Sequence, residues 1–573
     1  MVLIFNSKRL IIYKMKKIIF SFLLLASFFV LVSCKKYLDV NSDPASPQQP
    51  NLAALLPPVY SLIPAASYLD GRFSGTYLQN FTSTTNDGFD FHGGNGGGGS
   101  AATMWRTFYA QQGSSLNVIF DKGMKDENWD YVGVAYALRA WGFQQTTDYF
   151  GEAPFYDAWQ VSQNTVSAKY RYDKQEVIYK GIDSLCRLAL VYLNRTDGKV
   201  NQNLLSRGDL VYRGDRAKWI RFTYGILARL YNRTSNKTAY SADSVIKFVD
   251  LAFNNAGDNF LVPFNASRND DTNPAGPARD NFGNRRASRY ITQLLDGTIL
   301  NGSTTVNNRD PRLSRMLSTS FDTATISSTM PNANGGYRFC LLQTNGVGDP
   351  EVSATGGTTV GSPAFRRRVS LLWGDSTVTN TGISNFGSKS GKYVFQNSAP
   401  YPVMTYHELQ FIKAEAAFRA GNSGLALAAY QAGIAAHMDF VNFYSATANA
   451  VSPISATQRA NYFATNAYKK TTATLTISDI MQQKYIGDFG WNFTESWADL
   501  RRYHYFDLDA ATGLQVYNTF AIPFYSTNNQ GPKPAYRFAP TNFSEFDWNV
   551  EELRKIGGLN IDYHTYEMWF SQP

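Results

Sequence analysis

The chain has 573 residues, of which 17% are charged and 15% aromatic, and Tyr (35) and Phe (39) far outnumber Trp (10). Five of its basic residues, Lys8, Arg9, Lys14, Lys16 and Lys17, lie before residue 34, so the formal net charge of +9 falls to +4 without them. Spread over so long a chain, +4 gives no reason to expect a nucleic-acid partner. The length exceeds that at which single cores usually split, and the aromatic content suits a large core plus surfaces that can face sugar rings or peptides.

The first element is a basic stretch with no acidic residue, followed by an apolar run from 18 to 32 broken only by Ser21 and Ser27. It ends at Leu31-Val32-Ser33-Cys34, which resembles the bacterial lipobox. These are the marks of a secretory signal peptide, residues 1–33, with Cys34 as the lipidated first residue of the mature protein. The run is somewhat short for a membrane-spanning helix, and no second apolar run in the chain reads as long enough. Met15, just before Lys16-Lys17, looks like the natural start, with Met1 as the alternative. Residues 34–50, carrying Pro44, Pro47 and Pro50, read as a polar tether, and 51–573 as one domain.

From 51 to about 255 the pattern is mostly helical. Val132, Ala135, Tyr136, Leu138 and Trp141 recur at three- and four-residue spacings within 129–148, as do Trp219, Phe222, Ile226, Leu227 and Leu230 within 216–232, and Val245, Val249 and Phe253 within 242–253. Residues 256–400 are rich in Asn, Gly, Ser, Thr and Pro and read as loops, short strands and short helices laid over a helical scaffold, ordered by packing. Helical signals return at 404–440, where Ala414, Gly421, Ala426, Tyr430 and Gly433 match a tetratricopeptide helix pair. Small residues let two helices approach, Tyr430 fills the gap toward a neighbour, and Gly421-Asn422 supplies the turn. No strict repeat period accompanies this pair. The fold class expected is mainly α.

Several segments in order, CKKYLDVNSDP (34–44), TDYFGEAPF (147–155), RDPRL (309–313), YPVMTYHELQFIKAEAAFRAG (401–421) and ESWADLRRY (495–503), the last in a helix beginning near Ile477, together resemble the SusD/RagB family of nutrient-binding outer-membrane lipoproteins, its starch-binding-like branches most closely. The resemblance implies a tetratricopeptide-like helical scaffold with an irregular, loop-rich ligand-binding face. It implies a partner, a SusC-type TonB-dependent transporter over which the lipoprotein acts as a lid. It implies capture of an oligosaccharide or a peptide at the cell exterior, no chemistry on the ligand, and no cofactor. The matched motifs themselves read as structural: a helix end and turn at Tyr149-Phe150-Gly151, a turn with a local ion pair at Asp310-Pro311-Arg312, and a Glu495–Asp499 pair that would repel unless an arginine such as Arg502 intervenes.

Catalytic patterns are fragmentary. His407-Glu408 begins like a zinc-protease motif, but Phe411 stands where the second histidine belongs. Gly94, Gly96 and Gly99 lack a preceding strand and an acidic partner, the run from Gly387 to Lys392 is one residue short of a phosphate loop, and Asp507 and Asp509 are followed by Ala511 and Thr512 where a calcium loop needs a ligand and a glycine. No metal site is expected; Cys186 and Cys340 are too far apart for a metal motif and read as buried thiols, with a disulfide between them left open. Paired carboxylates of a surface-anchored hydrolase carry no sequence mark.

Binding residues are sought among aromatics with polar neighbours. Asn86, Asp87, Phe89, Asp90, Phe91, His92 and Asn95 precede a glycine run, a composition that suits an adjustable ligand loop. The other reading has Phe89 and Phe91 packed on the scaffold beside a passive hairpin. Trp373 with Asp375 supplies a second platform-and-carboxylate candidate, or an ordinary strand end; Arg366, Arg367 and Arg368 before it read as a solvated face. Trp105, with Phe108 and Tyr109 at i+3 and i+4, reads as helix core.

Overall fold

The structure is a computed structural model and describes residues 13–17, 51–83, 102–159, 170–279, 281–282, 285–318, 372, 391–445, 451–522, 533–540 and 545–573. Two compact units are present, Met1–Asn51 and Leu52–Pro573. In the first, residues 13–17 are helical and exposed; residues 18–50, and with them Cys34, lie outside the described residues.

The second unit begins with α1 (Leu52–Tyr77), which contains Pro57, Pro58 and Pro64. By length and composition this helix is apolar enough to cross a membrane, contrary to the sequence expectation, because the prolines interrupt the apolar run by eye without ending the helix. Its tyrosines 60, 68 and 77 are fully buried, and so is Asp70, as in the core helix of a packed domain. A helical segment follows without a break through Thr103–Arg106, a π turn Thr107–Gln112, and α2 (Gly113–Lys125). Trp105 and Phe108 are buried and Tyr109 half-buried, so this face is core as expected.

Helices α3 (Trp129–Phe150) and α4 (Gln175–Leu193), α5 (Arg216–Arg233) and α6 (Ala242–Leu251), and α8 (Tyr406–Arg419) and α9 (Ser423–Ser445) pack as successive pairs, with α7 (Arg289–Leu295) in the irregular part between. The close approach of α8 and α9 depends on Gly433, where a Cβ would come within 2.7 Å of the Phe411 ring. Tyr430 is fully buried and bonds the Ala467 carbonyl, and Gly421 makes the turn at φ 74°. The helix pair read from small and aromatic spacing is therefore the one that forms.

Two short antiparallel ribbons tie the irregular part to the helices: β1 (Phe81–Ser83) with β3 (Arg285–Ala287), and β2 (Phe260–Val262) with β4 (Tyr401–Met404). The second has an irregular register between Phe260 and Leu261, where Pro402, lacking an N–H, is paired.

The C-terminal third contains α10 (Ala456–Phe463), α11 (Ile477–Asp488), α12 (Phe493–Arg502) and α13 (Val550–Lys555). One helix was expected from near Ile477 through 503; the structure breaks it. Gly490 sits at φ 83°, a conformation that favours glycine, and a Cβ there would approach the Phe395 ring to 2.7 Å. Cys186 is buried and free, and burial pushes its thiol well above the usual range; Cys340 lies outside the described residues.

Candidate functional site

The binding residues expected from sequence, Asp87, Phe89, Phe91, His92, Asn95 and Trp373, all lie outside the described residues, as do Arg366, Arg367 and Arg368. The structure does describe what holds the 84–101 segment at each end. On its N-terminal side, β1 pairs with β3 in the register Phe81↔Ala287, and the Phe81 ring stands edge-on to Phe282 at 5.2 Å and Phe493 at 5.8 Å. On its C-terminal side, the buried Asp70 carboxylate accepts the Thr103 and Met104 N–H groups at 2.9 and 2.8 Å. This satisfies backbone donors at the helix start that have no partner within the helix. Burial pushes the Asp70 carboxyl up to about 6, against the pull of those N–H bonds. Both flanking contacts rest on the C-terminal half of α1, which contains Asp70 and carries the Phe81 ring against Gly75.

Behind the second anchor is an aromatic layer. Trp105 lies 4.8 Å from Tyr109, 5.2 Å from Phe150 and 6.2 Å from Tyr172. The Phe150 end belongs to TDYFGEAPF, and its Gly151 closes α3 at φ 83° beside the Arg537 guanidinium, the helix end and turn that the motif predicted.

The motif at 34–44 lies outside the described residues, and the remaining three place charged side chains in the interior: Arg312, Glu408, Glu415, Glu495, Asp499 and Arg502 are all buried. Arg312 forks onto Asp310 at 2.9 and 2.6 Å and also meets Gln483 and His437. Glu495 and Asp499 are separated electrically by different partners: Arg233 takes Glu495, while Arg502 and Lys484 take Asp499 at 2.6 and 2.7 Å. Arg229 forks onto Glu408 at 2.6 and 2.7 Å, and Arg502 onto Glu415 at 2.7 and 2.8 Å. Burial alone would raise the Glu495 carboxyl, but the Arg233 and Arg229 guanidiniums hold it down at about 2. Glu408 is thus a structural anion, and its neighbour His407 is buried 4.7 Å from the His437 ring. Asp509, the other fragment of a ligand motif, accepts the Ser478 and Ala511 N–H groups, each at 2.9 Å.

Two surface clefts are described. One, of about 240 Å³, lies between Val306, Arg309 and Ser314 and the α10 residues Gln458 and Asn461. Its only aromatic is the buried Tyr462. The other, of about 250 Å³, lies between Asp157, Tyr170 and Arg171 and the start of α13, with Trp548 on its wall. Sequence reasoning passed over Trp548. The signal available was Phe546-Asp547-Trp548-Asn549, aromatics interleaved with a carboxylate and an amide, the same mixture that marked 86–95.

With this geometry in view, the comparisons with known proteins can be read. Residues 46–346 and 368–524 match the profile of the SusD-like family, described as "Starch-binding associating with outer membrane". Among solved structures, a chitin-binding protein superposes with a TM-score of 0.62 at 19% identity, over 91% of this chain and all of its own. A SusD/RagB family protein from Bacteroides thetaiotaomicron gives 0.60 at 20% identity, over 90% of this chain and 98% of its own. A chitin-binding SusD homologue from Flavobacterium johnsoniae gives 0.60 at 18%, over 91% and 98%. At these identities the likeness is one of fold. No curated protein matches the sequence. The ordered motifs, the helical pairs and a profile match over most of the length make this chain a member of the SusD-like family.

Proposed function

We propose that the protein captures an oligosaccharide at the cell surface, without chemistry on it, and delivers it to a SusC-type TonB-dependent outer-membrane transporter. In this reading Cys34 carries the lipid anchor, 34–50 is the tether, and Leu52–Pro573 is a lid facing the cell exterior. The observation that carries the proposal is membership of a family described as starch-binding and associating with the outer membrane. The chitin-binding neighbours point the same way. The local composition agrees: a glycine-rich stretch of sequence carries Asp87, Phe89, Phe91, His92 and Asn95, and the described residue Trp105 that follows it belongs to an aromatic layer. Sugar recognition needs flat apolar faces together with amides and carboxylates for the hydroxyls. Trp373 with Asp375 is proposed as a further platform of the same face.

The test is calorimetric titration of the full chain in detergent with maltohexaose, chitohexaose, cellohexaose and short peptides, each incubated sample being checked by mass for cleavage. Saturable binding of an intact oligosaccharide, weakened roughly tenfold in Phe89→Ala/Phe91→Ala, is the expected result. Binding of peptides alone moves the function to peptide capture, and cleaved ligand overturns the non-catalytic reading.

A further inference from the structure

Of the nine tryptophans among the described residues, Trp548 alone is exposed, at 62% of its surface. Trp105, Trp129, Trp141, Trp219, Trp491 and Trp497 are buried in the core, and Trp159 and Trp569 are half-buried. A tryptophan left in water forgoes the largest apolar burial any side chain offers. Here the chain does not merely leave it loose: the backbone on both sides of the cleft is fastened.

The fastening is mutual. The Asn549 carboxamide accepts the Tyr170 N–H at 3.1 Å and donates to the Tyr170 carbonyl at 2.7 Å, so both of its ends are fixed. Glu552 accepts the Tyr172 N–H at 3.1 Å, and Glu545 accepts the Tyr172 hydroxyl at 2.6 Å. Trp548 is therefore presented next to a locked residue, opposite the fastened segment 170–172, at little cost in ordering when something binds. Around it the cleft carries planar polar groups that remain partly exposed. The Asp157 carboxylate accepts the Arg171 N–H at 3.0 Å, and the Arg171 guanidinium stands 3.7 Å from both Asp157 and Asp173. Glu551 lines the same cleft. A flat ring in a cleft lined by a carboxylate and a guanidinium is an arrangement that takes a pyranose: axial C–H groups lie on the indole while neighbouring hydroxyls pair with the charged groups. The paired charges disfavour a strongly ionic ligand, because either sign would meet its like at the rim. Tyr172, the residue after the lining Arg171, lies 6.2 Å from Trp105, so the aromatic layer ends next to the cleft.

We propose that the Trp548 cleft is a second carbohydrate subsite, separate from the 84–101 segment, taking one ring of a neutral oligosaccharide by stacking on the indole. Its volume, at the small end of ligand sites, suits one ring of a longer chain. The inference rests on the oligosaccharide-capture reading given above.

The experiment titrates the full chain in detergent with maltohexaose, chitohexaose and cellohexaose, comparing wild type, Trp548→Ala, Asp157→Asn, Phe89→Ala/Phe91→Ala and the triple variant Phe89→Ala/Phe91→Ala/Trp548→Ala, with the thermal midpoint of each variant as the control for folding. If the cleft is a subsite, Trp548→Ala weakens the hexasaccharide that binds wild type by roughly five- to tenfold at an unchanged midpoint, Asp157→Asn weakens it less, and the Trp548→Ala loss persists in the Phe89/Phe91 background. Wild-type binding that is unchanged in Trp548→Ala overturns the cleft and leaves oligosaccharide capture standing. No hexasaccharide binding by wild type overturns both, and that outcome is distinct because it is seen before any substitution.

Discussion

The usual partition of residues is reversed in two regions of this molecule, and the two reversals are handled in opposite ways. In the interior, where α3, α5, α8, α11 and α12 meet, Asp148, Arg229, Arg233, Glu408, Glu415, Lys484, Glu495, Asp499 and Arg502 are all essentially without solvent exposure. Each has an opposite charge within ion-pair distance, and several have neutral donors besides, such as Tyr179 on Asp148 at 2.6 Å and Asn232 on Glu415 at 2.9 Å. At the surface, Trp548 is apolar and wet, and no ring among the described residues stacks on it. A buried charge is tolerated when the chain itself supplies the partner; an exposed indole between fastened segments has a partner left to find. The first arrangement makes a scaffold, the second a contact face.

The comparison can be broken most severely from the inside. Glu495→Ala leaves Arg233 sharing a single carboxylate and Arg229 with a weakened field, so it should cost about 3–5 kcal/mol in urea denaturation. A loss below about 1 kcal/mol would mean that water or rearranged partners replace the glutamate. Next in size is Gly490→Ala, which forces an L-residue into positive φ and a Cβ against the Phe395 ring; about 1–3 kcal/mol should be lost by the same measurement.

Acid should show the next effect. Burial lowers His407 to about 3, and burial, His407 and Arg312 lower His437 well below its ordinary value. Both are neutral when folded, while the unfolded chain protonates them near pH 6.5. The unfolded state then binds more protons, so stability falls as pH drops from about 6.5 toward 3. His407→Gln should flatten part of that slope in denaturation curves taken between pH 4 and 7. His504 acts with the opposite sign: hydrogen bonding to Asp507 raises it to about 9. Its contribution is full below pH 6.5 and lost as pH rises through 9, and it is small because the ring is one-third exposed. Trp548→Ala marks the other end of the scale. Its unfolding free energy in urea should stay within about 0.5 kcal/mol of wild type, which separates a side chain held for folding from one held for contact.

Much of the scaffold was legible in sequence because helix pairing obeys local spacing. The small positions Gly421 and Gly433 and the apolar stripes of 129–148 and 216–232 state their own geometry. The site was legible only as composition. Asp87, Phe89, Phe91, His92, Asn95 and Trp373 were chosen because aromatics and amides beside glycines suit sugars, and such a criterion does not say which aromatic faces water. Trp548 meets it as well as Phe89 does, but its exposure depends on Asn549 and Glu552 bonding a segment some 380 residues earlier in the chain.

The mainly helical class, the helix pair at 404–440, the turns at Gly151 and Gly421 and the family motifs in order follow from local sequence, since each depends on residues within a few turns of one another. Long-range packing decides that α1 is a core helix despite its membrane-like composition, that Glu495 pairs with Arg233 rather than Arg502, that Gly490 divides one expected helix into two, and that Trp548 is left in water. Those outcomes depend on long-range contacts, and burial and charge pairing are properties of what finally surrounds a side chain, which no local spacing records.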